Sequence, residues 1–389
     1  MSAILWAAAV ITRLTPFNSQ NTMRLKEIEI LNFKNIAEAR LELCPRVNCF
    51  LGMNGMGKSN LLDAVYFLSL GRPMRSVPEN SLPLHGSDML LVKGEYEMDG
   101  GTQETVSCGI ASGKGKTLKR NGKEYGRLSE HVGKFPIVAV LPSDSELVSG
   151  SGEMRRKLMD MVISQADPIY LSQLIKYNRA LESRNKMLRA GIRDPLLFES
   201  IESGMNAAAR EIHAGRKAWV EEVAPIVADY YRRISGDAER ASLSYRSVLN
   251  DSTPEEVMAR TREKDAVLGF TSAGVHRDDL GMGLDNWSMR RLGSQGQVKT
   301  FTIALKLAVY EYLRKSGGEK PILLLDDIFD KLDSGRVGRI MGIVSGEGSF
   351  GQIFITDTNR EHLDETISGL QGESRMFEVK DGVFKEVEQ

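Results

Sequence analysis

Little in this sequence is abundant enough to announce itself. Three cysteines, Cys44, Cys49 and Cys108, occur in 389 residues, and none forms a C-x-x-C pair. That excludes a disulfide framework and a cysteine-ligated zinc site, and predicts small buried hydrophobes of a reducing cytoplasm. The formal net charge is only −1, so no global positive field advertises nucleic acid. Any such binding must come from a local basic face. No apolar run approaches the length of a bilayer span, so no membrane partner is expected. Internal repeats and low-complexity tracts are also missing. What remains is an ordinary composition, 41% hydrophobic and 26% charged, in a chain long enough for two or three domains.

The first residues stand apart. Residues 4–11 form a short apolar run, but no basic residue precedes it as in a signal peptide. A second methionine, Met23, opens a clean strand pattern. Residues 1–22 are therefore read as a non-native upstream extension or a disordered lead and are left out of the fold.

From there the pattern predicts an α/β chain. Residues 25–31 alternate with Leu25, Ile28 and Ile30 on one side, slipping by one residue early. Residues 36–43 alternate with Ala37, Ala39, Leu41 and Leu43 together. A short apolar run at 47–51 leads into glycine, and residues 58–70 carry helical spacing through Leu61, Leu62, Val65 and Leu68. Residues 91–140 read as β-rich, with Asn121-Gly122 as a two-residue hairpin signal. Residues 154–233 are helical and charged without a strict heptad, which predicts a packed arm and not a long coiled coil. Residues 322–325 and 353–356 read as central parallel strands. The expected division is 23–145 and 263–389 as two parts of one head, with 146–262 as an inserted helical arm domain.

Gly52-Met53-Asn54-Gly55-Met56-Gly57-Lys58-Ser59 is G-x-x-x-x-G-K-S between a predicted strand and a predicted helix. Glycines let consecutive backbone N–H groups turn inward on phosphate oxygens, and the helix adds its positive end. Gly52, Asn54, Gly55, Gly57, Lys58, Ser59 and Asn60 are thus candidate nucleotide contacts. Lys58 can reach the β- and γ-phosphates, and the Ser59 hydroxyl can ligate Mg²⁺. Far downstream, four apolar residues end in Asp326-Asp327. Asp326 would hold Mg²⁺, directly or through water; Asp327 would orient or deprotonate the attacking water. Leu292-Gly293-Ser294-Gln295-Gly296-Gln297 opens a helical pattern, so Ser294, Gln295 and Gly296 can meet a phosphate at a helix start.

The order of these parts resembles an ABC-type, Rad50/SMC-head-like P-loop ATPase, and the details resemble the RecF family. Leu292 to Gln297 is similar to the ABC signature, and Ser294-Gln295-Gly296-Gln297 to the family's S-Q-G-Q. Asn32-Phe33-Lys34-Asn35 is similar to its N-F-R-N turn, with lysine for arginine, and Pro142-Ser143-Asp144 to its loop near the nucleotide. Gly150-Ser151 with Arg155, Arg156 and Asp160 matches G-S-x-x-x-R-R-x-x-x-D, His276-Arg277-Asp278-Asp279 matches H-R-D-D, and Asp326-Asp327 its double aspartate. Asp330-Lys331-Leu332-Asp333 stands where such heads cross the dimer interface. Residues 352–358 stand at the switch strand, without its histidine, leaving Thr356 or Asp357 to sense the γ-phosphate. The phosphate loop and signature lie about 240 residues apart, too far for a compact transporter ATPase and too close for a long coiled-coil relative.

The resemblance implies ATP and Mg²⁺ as cofactors, an ATP-dependent homodimer with composite sites, and weak, slow hydrolysis serving as a switch. It implies DNA, duplex and gap junctions, as a partner, with RecR- and RecO-like proteins and RecA loading as the outcome. The DNA-facing candidates are Lys119, Arg120 and Lys123 on a basic hairpin, and Arg155 and Arg156 on the arm. A hairpin edge protected by lysines is the other reading of the first group. The competing function is an ABC-type regulatory ATPase that does not act on DNA.

Overall fold

Ile322, Leu323, Leu324 and Leu325 are all buried, and they point alternately into two different cores. That period of two, with both faces apolar, is what a central parallel strand requires. The structure, a computed structural model, describes residues 23–75, 77–237, 239–285, 287–317, 319–329, 332–346, 350–368 and 374–387. The expectation for residues 1–22 lies outside the described residues.

The chain opens with β1 (Arg24–Phe33), β2 (Ile36–Glu42), β3 (Val47–Leu51), α1 (Lys58–Leu70), β4 (Met89–Glu97), β5 (Gln103–Ala111), β6 (Gly115–Arg120), β7 (Lys123–Glu124) and β8 (Ile137–Val140). It continues with α2 (Glu146–Ser149), α3 (Gly152–Ala166), α4 (Pro168–Arg189), α5 (Pro195–Ser235), β9 (Ala241–Arg246), α6 (Pro254–Leu268), β10 (Asp279–Leu284) and β11 (Trp287–Ser288). Last come α7 (Met289–Leu292), α8 (Gln295–Ser316), β12 (Ile322–Asp326), α9 (Ser334–Val344), β13 (Ile353–Asp357), α10 (Arg360–Ser368), β14 (Ser374–Lys380) and β15 (Val383–Val387).

The central sheet runs β15-β14-β3-β13-β12-β8, parallel except for the edge strand β15. A second sheet, β2-β1-β4-β5-β6-β7, is antiparallel throughout. Helix α1 lies between them. Leu61, Leu62, Ala64, Val65, Phe67 and Leu68 are buried, so the helix has almost no solvent face. The opposite face of the central sheet packs on α8, which α5 backs in turn, in a core that also takes in α3 and a small sheet of β9, β10 and β11. The early slip in β1 is a register shift between Leu25 and Glu27 against β4. In β2, Ile36 and Leu41 are buried while Ala37 is exposed, a correction to the single apolar side expected there.

One buried amide ties the two six-stranded sheets. Gln352, immediately before β13, accepts from the Leu25 amide at 2.7 Å and donates to the carbonyls of Leu25 and Cys44, both at 2.8 Å. Asn48 does the same locally, bonding the amide and the carbonyl of Cys44. Buried backbone groups at the start of β1 and the end of β2 thereby find partners they lack in their own sheet. Gln352→Leu would keep the volume and remove a partner from the Leu25 amide and carbonyl, while the Cys44 carbonyl keeps its bond from Asn48. We expect a loss of about 2–4 kcal/mol in urea unfolding, with the phosphate loop's nucleotide affinity little changed.

Candidate functional site: a phosphate loop at the carboxyl edge of the parallel sheet

Strands β3, β12 and β13 are neighbours in the sheet, and all three end at one edge. β3 feeds the glycine loop, β12 delivers Asp326 and Asp327, and β13 delivers Thr356 and Asp357. Ligands bind at this edge in open α/β sheets because the loops there are free of the sheet's own hydrogen bonding.

The loop has its shape for reasons visible in its neighbours. Gly55 and Gly57 have φ of 83° and 114°, values open to glycine. A Cβ on Gly52 would collide with the Val379 carbonyl, and one on Gly57 would press on the Asn35 side chain. Asn35 comes from the turn between β1 and β2. It donates to the Gly55 carbonyl at 3.3 Å and accepts from the Asn60 amide at 2.7 Å. The turn thus splints the loop from outside, a role no local motif signals. Lys34, beside it, pairs with Asp63 of α1. That pairing engages the lysine standing where relatives of this pattern have arginine.

Lys58 is 5% exposed, and its ammonium donates to the carbonyls of Gly52 at 2.5 Å and Met53 at 3.0 Å. Burial pushes its pKa down, opposed by the carboxylates of Asp327, Asp326 and Asp357. Ser59 donates to Asp326 Oδ1 at 2.7 Å, and Thr356 donates to the same oxygen at 2.8 Å. A hydroxyl and a carboxylate at this spacing are the hard oxygen donors a magnesium ion accepts alongside substrate phosphates, so Ser59 and Asp326 fit that ion. Asp327 follows with φ of 46°, a left-handed conformation rare outside glycine. Asp357 turns inward to accept from the amides of Thr358 and Asn359, and His362 Nδ1 lies 2.9 Å from its second oxygen. The sequence shows no histidine at the switch position, yet α10 brings His362 back to that spot. Its offset of five residues hid it.

The signature segment opens the 22-residue helix α8. Ser294 and Gln297 form a reciprocal capping box, and Ser294 and Gln295 are exposed. Gly296 leaves room for Arg336 of α9, whose guanidinium would lie 2.9 Å from a Cβ there and bonds Thr300. Asp333 caps α9 through the Arg336 amide; Asp330 and Lys331 of the same loop lie outside the described residues. Asp144 of the 142–145 turn pairs at 3.0 Å with Lys306, buried on α8.

The basic candidates divide. Arg155 is 3% exposed, clamped by both oxygens of Asp279 and by the carbonyls of Leu147 and Gly150. Four of its five N–H groups are bonded inside the fold, which weighs against the DNA contact expected of it. Arg156 is half-buried and donates to the Asp278 carbonyl at 2.6 Å. Arg120 is engaged by Glu104, whereas Lys123 is exposed and Lys119 half-exposed. Sequence reasoning also missed Arg216, a buried cation on α5 that joins Asp160 to Asp278 and to the Val275 carbonyl. The arginine-rich motif of α3 and the H-R-D-D segment therefore meet as one buried ionic joint.

ABC-type ATPase heads are built this way, and this chain has their fold. A family model described as RecF/RecN/SMC N terminal domain matches residues 24–384. A DNA replication and repair protein RecF of Porphyromonas gingivalis is 49% identical over 361 residues, 92% of this chain and 99% of that protein. A solved structure of the recombination mediator protein RecF-ATPrS in the RecFOR pathway superposes with a TM-score of 0.84 at 29% identity, covering 96% of this chain and 100% of that one. An Smc head domain from Pyrococcus furiosus shares the fold, with a TM-score of 0.56 at 16% identity over 94% of this chain and 96% of that one. The chain belongs to the RecF family.

The ionic joint has a measurable consequence. Arg216→Met removes the cation and leaves Asp160 and Asp278 facing one another in the interior. We expect a loss of about 3–5 kcal/mol in denaturant unfolding, while nucleotide binding persists at temperatures where the variant is folded.

Proposed function

We propose that this protein is an ATP-dependent DNA-binding recombination mediator, and that the observation carrying this reading is the Lys58–Ser59–Asp326–Asp327 constellation at the sheet edge of a RecF-family chain. The relatives' names support the repair and recombination role, and the RecF-ATPrS structure supports the nucleotide. In this reading Gly52, Asn54, Gly55, Gly57 and Asn60 shape the phosphate cradle and Lys58 supplies its charge. Ser59 and Asp326 hold Mg²⁺, which neutralises phosphate charge when bound. Asp327 orients the attacking water and takes its proton. Ser294, Gln295 and Gly296 meet the nucleotide of a second copy, so that ATP drives dimerisation and slow hydrolysis resets it. Dimerisation on DNA next to a single-strand gap, with RecR- and RecO-like partners and RecA loading, completes the proposal. Among the described residues no helix is long and apolar enough to cross a membrane.

The DNA face is assigned to the β6–β7 hairpin. Lys114, Lys123 and Arg127 are exposed there, and Lys119 is partly so. Contacts would be to phosphates, since nothing among the described residues resembles a recognition helix. Two basic faces on one duplex also make the second contact intramolecular.

Three experiments test this. Asp327→Asn should slow turnover by roughly a hundredfold or more while ATP still binds, and Ser294→Arg should leave ATP binding intact and abolish the ATP-dependent mass increase in light scattering. Neutralising Lys119, Arg120 and Lys123 should flatten the salt dependence of duplex binding and spare ATP affinity, read by fluorescence polarisation. If the wild-type chain with ATP shows no affinity for any DNA form at low salt, the regulatory ATPase that does not act on DNA replaces this reading.

A further inference from the structure

We propose that Thr356 is a positioning residue, whose hydroxyl holds the backbone of Asp327 and the carboxylate of Asp326 in one geometry and so sets where Asp327 is presented. The inference rests on the hydrolytic reading of Asp327 above, and it departs from the expectation that Thr356 senses phosphate.

Thr356 is fully buried at 0% exposure, one residue before the end of β13. Its hydroxyl has one proton and two lone pairs. The proton goes to Asp326 Oδ1 at 2.8 Å, and a lone pair accepts from the Asp327 amide at 3.0 Å. The Thr356 carbonyl accepts from the same amide at 3.2 Å. The side chain is therefore committed at both ends, with no donor left for a phosphate.

Asp327 has φ of 46°, a region aspartate enters more readily than most residues and one that Asp237, Asp285 and Asp381 also adopt. What distinguishes Asp327 is the pair of acceptors on its amide at the end of a buried strand. The last ladder pair at the strand's end is Asp326–Thr356, and the Asp327 amide beyond it is shared between the Thr356 carbonyl and hydroxyl. The hydroxyl adds its hold on that amide while also fixing the neighbouring carboxylate, which Ser59 reaches from α1. One side chain therefore links the metal-holding oxygen to the backbone that aims Asp327.

The test uses the full chain with Thr356→Val, which keeps the branched shape and removes the hydroxyl, and Thr356→Ser, which restores it. For Val we expect kcat to fall by at least about tenfold, with the dissociation constant for ATP within about twofold. Ser should recover most of the loss. In the Thr356→Val, Asp327→Asn double variant, turnover should fall by much less than the product of the two single losses, because the hydroxyl acts largely through that carboxylate. Amide exchange in a peptide spanning residues 325–328 of the nucleotide-free protein should also accelerate by roughly fivefold in Val and not in Ser. Equal kcat and equal exchange in Val and wild type would overturn the proposal, as would losses in the double variant that multiply. If Asp327→Asn itself leaves turnover unchanged, the hydrolytic assignment fails, and the exchange comparison then decides whether the clamp exists.

Discussion

A single carboxylate oxygen gathers the phosphate-loop edge of the sheet. Asp326 Oδ1 accepts from Ser59 at the start of α1 and from Thr356 near the end of β13, while Asp326 itself ends β12. Asp326 is 2% exposed, so its charge would be costly without hydroxyl donors and the neighbouring Lys58. Those donors arrive only if β13 and β12 pair in parallel with Asp326 opposite Thr356, and if α1 starts directly after the loop from β3. A slip of one residue in either ladder would turn Asp326 or Thr356 to the other face. The apolar alternation that divides Leu323 and Leu325 from Ile322 and Leu324 prevents that slip, because each residue already has a core to fill. Packing of the sheet thus fixes the chemistry at its edge.

The parts legible in sequence were those whose signal is local. The loop from Gly52 to Ser59 needs neighbouring glycines, and Lys58–Leu70 forms a helix as its spacing predicts. The 154–233 pattern appears as α3, α4 and a 41-residue α5 that passes through Pro225. Pro225 lies on an exposed side of that helix, so its missing N–H and displaced carbonyl can be met by water. The parts not legible were those made by return of the chain. Asn35 splints a loop twenty residues on, Gln352 caps strands more than three hundred residues upstream, and His362 rejoins Asp357 across a helix turn. Charge misled for the same reason. Arg155 and Arg120 read as surface cations because their partners, Asp279 and Glu104, are distant or across a strand pair.

The buried joint shows what Arg155 does, together with Arg216. Arg155 holds Asp279, Arg216 holds Asp160 and Asp278, and Tyr245 donates to Asp278. Burial pushes the Asp278 carboxyl up, against the pull of Arg216; burial acts the same way on Asp279, but Arg155 outweighs it and holds that group low. His276, pushed down to about 4 by burial, stays neutral, with Nε2 on the Thr271 carbonyl and Nδ1 facing the Tyr177 hydroxyl. A neutral ring between two neutral partners adds no charge to an already balanced cluster. Such an assembly contributes less to net stability than an apolar core would, because each ion must be stripped of water. What it does impose is a unique mating of α3, α4 and α5 with the segment leading into β10.

That mating reaches the signature. β10 pairs with β11, β11 runs directly into α7, and α7 ends one residue before Gly293. The start of α8 is therefore held by the same small sheet that the ionic joint orients. The first amides of any helix lack partners within it, and only part of that deficit is met here by the Ser294–Gln297 box. At Gly296 the nearest neighbour a Cβ would meet is the mobile end of Arg336, which can move aside, so the fold itself does not demand glycine there. The exposed Ser294 and Gln295 have no internal duty on their outer side. An exposed helix start with a favourable dipole end is suited to receive an anion from outside the chain, which supports the proposed site completed by a second copy's nucleotide.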